Sequence, residues 1–172
     1  MKGGAQIPPR MSMPEILYSF FGGFLGIGLC SYLSHFFFEP RDLVLLIGSM
    51  GASAVLVYGA IKSPLAQPRN LIGGHVISGI VGVLSFQVFQ GNVVVASAVA
   101  VSLAITVMAF TRTIHPPGGA TALIAVIGGD KIHNLGFLYP FVPAGAGALV
   151  LLLVALFTNN IVQSRKYPEY WF

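Results

Sequence analysis

Arg112-Thr-Ile-His-Pro-Pro-Gly-Gly-Ala-Thr-Ala-Leu123 lies between two apolar runs, and its reading decides the fold. Two consecutive prolines cannot sit in a helix interior, because each lacks an N–H and clashes with the preceding turn. Pro116 also drives His115 out of the helical region, and Pro117 does the same to Pro116. Gly118 and Gly119 admit backbone angles closed to other residues. Helix is expected again from Ala120. The stretch therefore predicts irregular backbone followed by a helix start. At membrane depth such backbone must be buried in protein or line a wet cavity.

The rest of the chain supplies the membrane. Of 172 residues, 55% are hydrophobic and 8% charged, against about 25% charged in soluble domains. An all-α polytopic membrane protein follows, with the lipid bilayer as its partner. Twenty-one glycines and eleven prolines suit close helix packing and broken helices. The net charge of +4 comes without a basic patch interleaved with aromatics, so no nucleic-acid partner is expected. The single Cys30 lies in an apolar run and reads as a packing residue.

Residues 1–172 read as one membrane domain. Residues 1–14 form a polar cytoplasmic segment. A first span is expected at 15–38, where Gly22-x-x-x-Gly26 suggests a helix interface. Residues 43–62 are apolar but interrupted at Gly48-Ser-Met-Gly51. Spans follow at 71–89 and 93–110. After the double proline comes a short apolar segment, 119–128, then a loop and a last span at 136–158. The tail, 159–172, is cytoplasmic, and its Tyr167, Tyr170 and Trp171 suit the membrane interface. A crossing helix needs about 20 residues, so segment 119–128 reaches only about 15 Å.

Gly51-Ala-Ser-Ala-Val-Leu56 matches Gly119-Ala-Thr-Ala-Leu-Ile124 position by position. Each piece follows a long apolar span and irregular backbone. Each precedes a loop, an Asn-Leu pair (Asn70-Leu71, Asn134-Leu135) and another long span. Residues 15–89 and 93–158 thus read as two repeats of span, broken half-helix and span: four long spans plus two short or discontinuous segments. If both broken segments cross, the inner loops hold Lys2, Arg10, Lys62, Arg69, Arg112, Arg165 and Lys166, and the outer loops only Arg41 and Lys131. If both turn back, the inner side keeps only Lys2, Arg10, Arg165 and Lys166. The positive-inside rule favours crossing, with both termini cytoplasmic. Three passes per unit makes the two repeats inverted, a plan used by transporters.

His115-Pro-Pro-Gly-Gly-Ala-Thr-Ala-Leu123 resembles the signature of the HPP family of integral membrane proteins. Gly48-Ser-Met-Gly-Ala-Ser-Ala-Val-Leu56, Gln67-Pro-Arg-Asn-Leu-Ile-Gly-Gly-His75 and Arg165-Lys-Tyr-Pro-Glu-Tyr-Trp171 are similar to other segments of that family. The resemblance covers roughly residues 14–171. It implies a membrane protein, with nitrite transport as the activity associated with some members and a bacterial inner (plasma) membrane, cyanobacterial among the settings, as the location.

The residues permit the same chemistry. Short helices starting at Gly51-Ala52-Ser53 and at Gly119-Ala120-Thr121 would aim two N-termini at one midplane cavity. A helix N-terminus carries free N–H groups and about half a positive charge, so an anion can be held without a charged side chain. The candidate site comprises Ser49, Gly51, Ala52, Ser53, His75, Arg112, His115, Gly118, Gly119, Ala120 and Thr121. Arg112 either attracts the anion or anchors the interface. His115 either donates to the anion, with or without a proton, or bonds a backbone carbonyl. His75 either faces the cavity or bonds a neighbouring helix. No metal-ligand spacing, phosphate loop or catalytic constellation appears, so neither a metal, a cofactor nor an enzymatic activity is expected. The expected function is passage of a small monovalent anion, nitrite by resemblance, in a homo-oligomer. The alternative is a non-transporting sensor or scaffold module acting with a partner protein.

Overall fold

The computed structural model describes residues 9–41 and 44–171. The expectations for residues 1–8 with Lys2, for Asp42 and Leu43, and for Phe172 fall outside the described residues. Every regular element among the described residues is helical. Helix α1 (Met13–Leu33) opens on a capping box: the Ser12 N–H donates to Glu15 Oε2 at 3.0 Å, and Pro14 occupies the first turn. A π-helical turn, Ser34–Phe38, prolongs it. Helix α2 (Gly48–Ala54) is prolonged by a second such turn, Val55–Gly59. Helix α3 (Pro68–Val88) leads to α4 (Val93–Phe110), whose first turn is capped by Asn92 Oδ1 accepting from the Val95 N–H at 3.1 Å. Helix α5 (Pro116–Ile127) is followed by α6 (Asp130–His133) and, after irregular turns, by α7 (Ala146–Thr158).

Four helical stretches are long and apolar enough to cross a bilayer: Met13–Phe38, Pro68–Val88, Val93–Phe110 and Gly136–Thr158. They match the four expected spans. The two short helices start earlier than expected, at Gly48 and Pro116. The double proline does not delay α5. Pro116 and Pro117 fill its first two positions, where a missing N–H costs nothing and φ is already helical, and extended His115 is the N-cap. The last span is less regular than expected. Val142 leaves the helical region (φ −135°, ψ 112°) between Pro140 and Pro143.

Helix α3 is the central post, because its glycines let its neighbours close in. A Cβ on Gly74 would lie 2.5 Å from His115 Cβ, one on Gly79 2.8 Å from Pro140 Cα, and one on Gly82 2.6 Å from the Ala122 carbonyl oxygen. Helix α4 lends a buried stripe, Ala96, Ala100, Ala104 and Met108, at helical spacing. The Gly22-x-x-x-Gly26 groove of α1 is filled from within the chain. The Tyr58 ring lies in it, and the Tyr58 hydroxyl donates to the Leu151 carbonyl at 2.9 Å. Phe20, Phe24, Val88, Phe110 and Phe157 project outward, as lipid-facing side chains do.

Loops 60–67 and 111–115 gather with the tail at one end. Arg165 Nη2 donates to the Tyr58 carbonyl (2.7 Å) and to Asn159 Oδ1 (3.0 Å), and its Nη1 to the Glu15 carbonyl (3.1 Å). The Tyr167 hydroxyl donates to the Ala66 carbonyl at 2.7 Å, and Arg69 Nη2 to the Thr111 carbonyl at 2.9 Å. Lys62, Arg69, Arg112, Arg165 and Lys166 therefore share this end. The opposite end carries α6, whose His133 ring stacks on Phe86 at 3.8 Å.

Candidate functional site

Helices α2 and α5 enter the bundle from opposite ends and run antiparallel past each other beside α3. Ser49 near the start of α2 meets Thr121 in the second turn of α5, while Ser53 in the second turn of α2 meets His115 at the start of α5. The two N-termini thus overlap instead of aiming at a shared gap. The overlap sits against His75, about 10 Å along α3, a third of the way into that 21-residue helix. Its five polar side chains, Ser49, Ser53, His75, His115 and Thr121, have no exposed surface.

They form one continuous chain of hydrogen bonds. The Thr121 hydroxyl donates to Ser49 Oγ at 2.9 Å and also lies 3.3 Å from the Pro117 carbonyl. His75 Nδ1 is 2.7 Å from Thr121 Oγ1, and His75 Nε2 is 2.7 Å from Ser53 Oγ. Ser53 Oγ is 2.8 Å from His115 Nε2, and His115 Nδ1 is 2.7 Å from the Leu65 carbonyl oxygen. The two rings meet edge to face, their centroids 5.1 Å apart.

Donor counting limits the proton arrangements. The Leu65 carbonyl only accepts, so His115 Nδ1 carries a hydrogen. With the Thr121 hydrogen directed to Ser49, His75 Nδ1 must donate to Thr121 and carries one too. Both Nε2 atoms face Ser53 Oγ, which has a single hydrogen. One Nε2 accepts that hydrogen and the other donates its own. The two rings then hold three N–H groups, one proton more than two neutral imidazoles. Turning the Thr121 hydroxyl onto His75 Nδ1 reduces the count to two.

Of the sequence candidates, Ser49, Ser53, His75, His115 and Thr121 come together here. Gly118 adjoins them as a packing residue: a Cβ there would lie 2.7 Å from Ser78 Oγ and 2.9 Å from the Gly74 carbonyl oxygen. Gly51 and Ala52 face outward on the exposed side of α2, while Gly119 and Ala120 are half-buried, Gly119 toward Val101 of α4. Arg112 is exposed in the turn after α4 with φ 58°, outside the network. The expected cluster of free N–H groups is missing at α5. Its first two residues are prolines, and the Gly118 N–H donates to the His115 carbonyl at 2.7 Å.

Two contributors escape a reading of the sequence. The Leu65 carbonyl carries no side-chain signal. Tyr139, fully buried, donates its hydroxyl to the Thr121 carbonyl at 2.9 Å. Pairing Asn70-Leu71 with Asn134-Leu135 sets Tyr139 opposite His75, and that register is the available clue. Among the described residues no group of three His, Cys, Asp or Glu side chains converges as a metal site would require.

Four apolar spans around a buried polar centre define an integral membrane protein of the helical class. The chain belongs to the HPP family: residues 8–168 match the family's transmembrane region. It is similar to a transmembrane protein of Dictyostelium discoideum, 46% identical over 99% of this chain and 55% of that protein. A second transmembrane protein of the same organism is 45% identical over 95% of this chain and 58% of its own length. The chain therefore spans about half the length of the curated relatives it matches. No solved structure matches it.

Proposed function

We propose that the chain carries a small monovalent inorganic anion across its membrane, with nitrite as the substrate the family resemblance implies. The observation that supports this reading is the overlap of two half-helices around fully buried polar side chains inside an otherwise apolar bundle. Ionisable side chains inside a membrane are costly, and His75 and His115 held there point to a pathway. Helices α2 and α5 start at Gly48 and Pro116, the same separation along the chain as that between the matching Gly51 and Gly119. That agreement supports an inverted repeat with its site between the units. An open recess at the α6 end is lined by Ile47, Gly48, Ile124, Asp130 and Lys131, one residue short of Ser49 along the chain. In a bacterial plasma membrane the end holding Arg69, Arg112 and Arg165 faces the cytoplasm by the positive-inside rule. The proposal includes a homo-oligomer through exposed Gly28, which meets nothing within 4 Å.

The test is flux of nitrite, nitrate, formate and chloride into liposomes holding purified protein, with protein-free liposomes subtracted. Selective nitrite movement, weakened in Thr121→Val with folding intact, is the expected result. Normal flux in that variant removes Thr121 from the site. No anion flux from folded protein turns the reading to the module that works with a partner protein.

A further inference from the structure

We infer that Ser53 joins His75 and His115 into a site for one exchangeable proton, and that this proton travels with the transported anion. The inference rests on the anion-transport reading for its coupling, though not for the proton site itself. Three observations carry it. Ser53 Oγ lies within 2.7 and 2.8 Å of the two Nε2 atoms. The outer nitrogens end on a carbonyl that only accepts, Leu65, at one end and on the reversible Thr121–Ser49 hydroxyl pair at the other. The direction of the Thr121 hydroxyl sets whether the rings hold two N–H groups or three.

Loading balances without any other reactant. In the neutral form Ser49 donates to Thr121 and Thr121 to His75 Nδ1. A proton reaching Ser49 Oγ sends the Ser49 hydrogen to Thr121 and the Thr121 hydrogen to His75 Nδ1. His75 then carries two N–H groups and Thr121 donates to Ser49 across the 2.9 Å contact. Next His75 Nε2 gives its hydrogen to Ser53 Oγ as Ser53 passes its own to His115 Nε2. The charge moves from one ring to the other with every hydrogen accounted for. Gly48, the chain neighbour of buried Ser49, lines the recess at the α6 end, and His115 Nδ1 faces the Leu65 carbonyl of loop 60–67 at the other, so the path runs from one end of the bundle toward the other.

The pair takes one proton and not two, because two imidazolium rings with centroids 5.1 Å apart repel strongly in a dry interior. No counter-charge is at hand. Ser49 and Ser53 on α2 and Thr121 on α5 are neutral, the Tyr139 phenol bonds the Thr121 carbonyl, and Tyr58 is turned away to Leu151. Helices α4 and α7 carry no ionisable side chain. Among the described residues no carboxylate, lysine or arginine bonds either ring. A buried cation without a partner is costly, and a monovalent anion moving with it cancels the charge. Electroneutral movement of proton and anion together follows.

Two readouts test this. The first is nitrogen-15 NMR of histidine-labelled protein in nanodiscs across the acidic to neutral range, with His75→Gln and His115→Gln for assignment. The expected result is a single proton shared by both rings, with Ser53→Ala abolishing the sharing. Both rings neutral throughout, or sharing unchanged in Ser53→Ala, overturns the proton site. The second is nitrite flux in liposomes. Uptake driven by an inward proton gradient, insensitive to a potassium–valinomycin voltage clamp and losing its gradient dependence in Ser53→Ala, is expected. Nitrite flux indifferent to the gradient overturns the coupling and leaves anion transport standing. Absent nitrite flux overturns the transport reading and the coupling together, and the NMR result then decides the proton site alone.

Discussion

Gly74→Ala puts the packing logic at risk most directly. The new Cβ would lie 2.5 Å from His115 Cβ and 3.1 Å from the Thr113 carbonyl oxygen. Neither obstacle is the end of a flexible side chain. Ordinary carbon–carbon contact needs about 3.5–4.0 Å, so His115 must withdraw by roughly 1 Å. Its ring is tethered at both nitrogens, at 2.8 Å to Ser53 and 2.7 Å to Leu65, and such a shift breaks at least one tether. Overpacking costs about 1–3 kcal/mol, and a buried hydrogen bond adds about 1 kcal/mol. The expected loss is about 2–4 kcal/mol, or roughly 30- to 1,000-fold in the unfolding equilibrium. Gly23→Ala is the control, since a Cβ there meets nothing within 4 Å. It is expected to be neutral or to stabilise by up to about 1 kcal/mol through helix propensity. Equilibrium unfolding in mixed micelles measures both. Equal stability of Gly74→Ala and Gly23→Ala would refute the claim that α3 and the 111–115 segment are held in contact by the missing side chain.

The remaining expectations concern the tail. Burial pushes the Tyr167 phenol above its ordinary range, because ionising it would leave a buried charge. Its donation to Ala66 therefore stabilises docking fully below the ordinary phenol value of about 10, and that contribution is lost as pH rises from there through the raised value. Fluorescence of Trp171, the single tryptophan, reports docking, and Tyr167→Phe is expected to remove this alkaline dependence; an unchanged pH profile in that variant counts against it. Arg165→Ala is expected to cost about 2–3 kcal/mol, because hydrogen bonds to a charged donor are worth about 1.5–3 kcal/mol and the lost bonds are partly offset by water at this end. Faster proteolysis of residues 159–171 with the spans intact is the readout, and a tail as resistant as the parent's refutes the tether.

Composition and local pattern are enough for the class and the outline. An apolar chain with few charges has one stable setting, and apolar runs of 18–26 residues dictate spans whatever their neighbours do. The recurrence of Gly-Ala-Ser-Ala as Gly-Ala-Thr-Ala is legible in the chain, and so are five of the residues that meet at the centre. Where α5 starts is not, because double proline reads as a breaker until it falls at the first two helix positions, where it is tolerated.

How those residues meet depends on packing between distant segments. Two half-helices starting near mid-depth can abut or overlap, and local pattern is the same in both cases. Long-range contacts choose overlap: Gly74 and Gly82 of α3 admit His115 and Ala122, and Gly147 of α7 admits Met50, whose sulfur would lie 2.9 Å from an added Cβ. Those contacts set Ser53 between two imidazoles from different helices. They also bring up the Leu65 carbonyl, a backbone group present at every position and so invisible in a sequence. The glycine pair at 22 and 26 makes the same point. Its spacing announces a close contact, but a tyrosine from the turn that prolongs α2 fills it, since the groove fits whatever planar side chain the fold delivers.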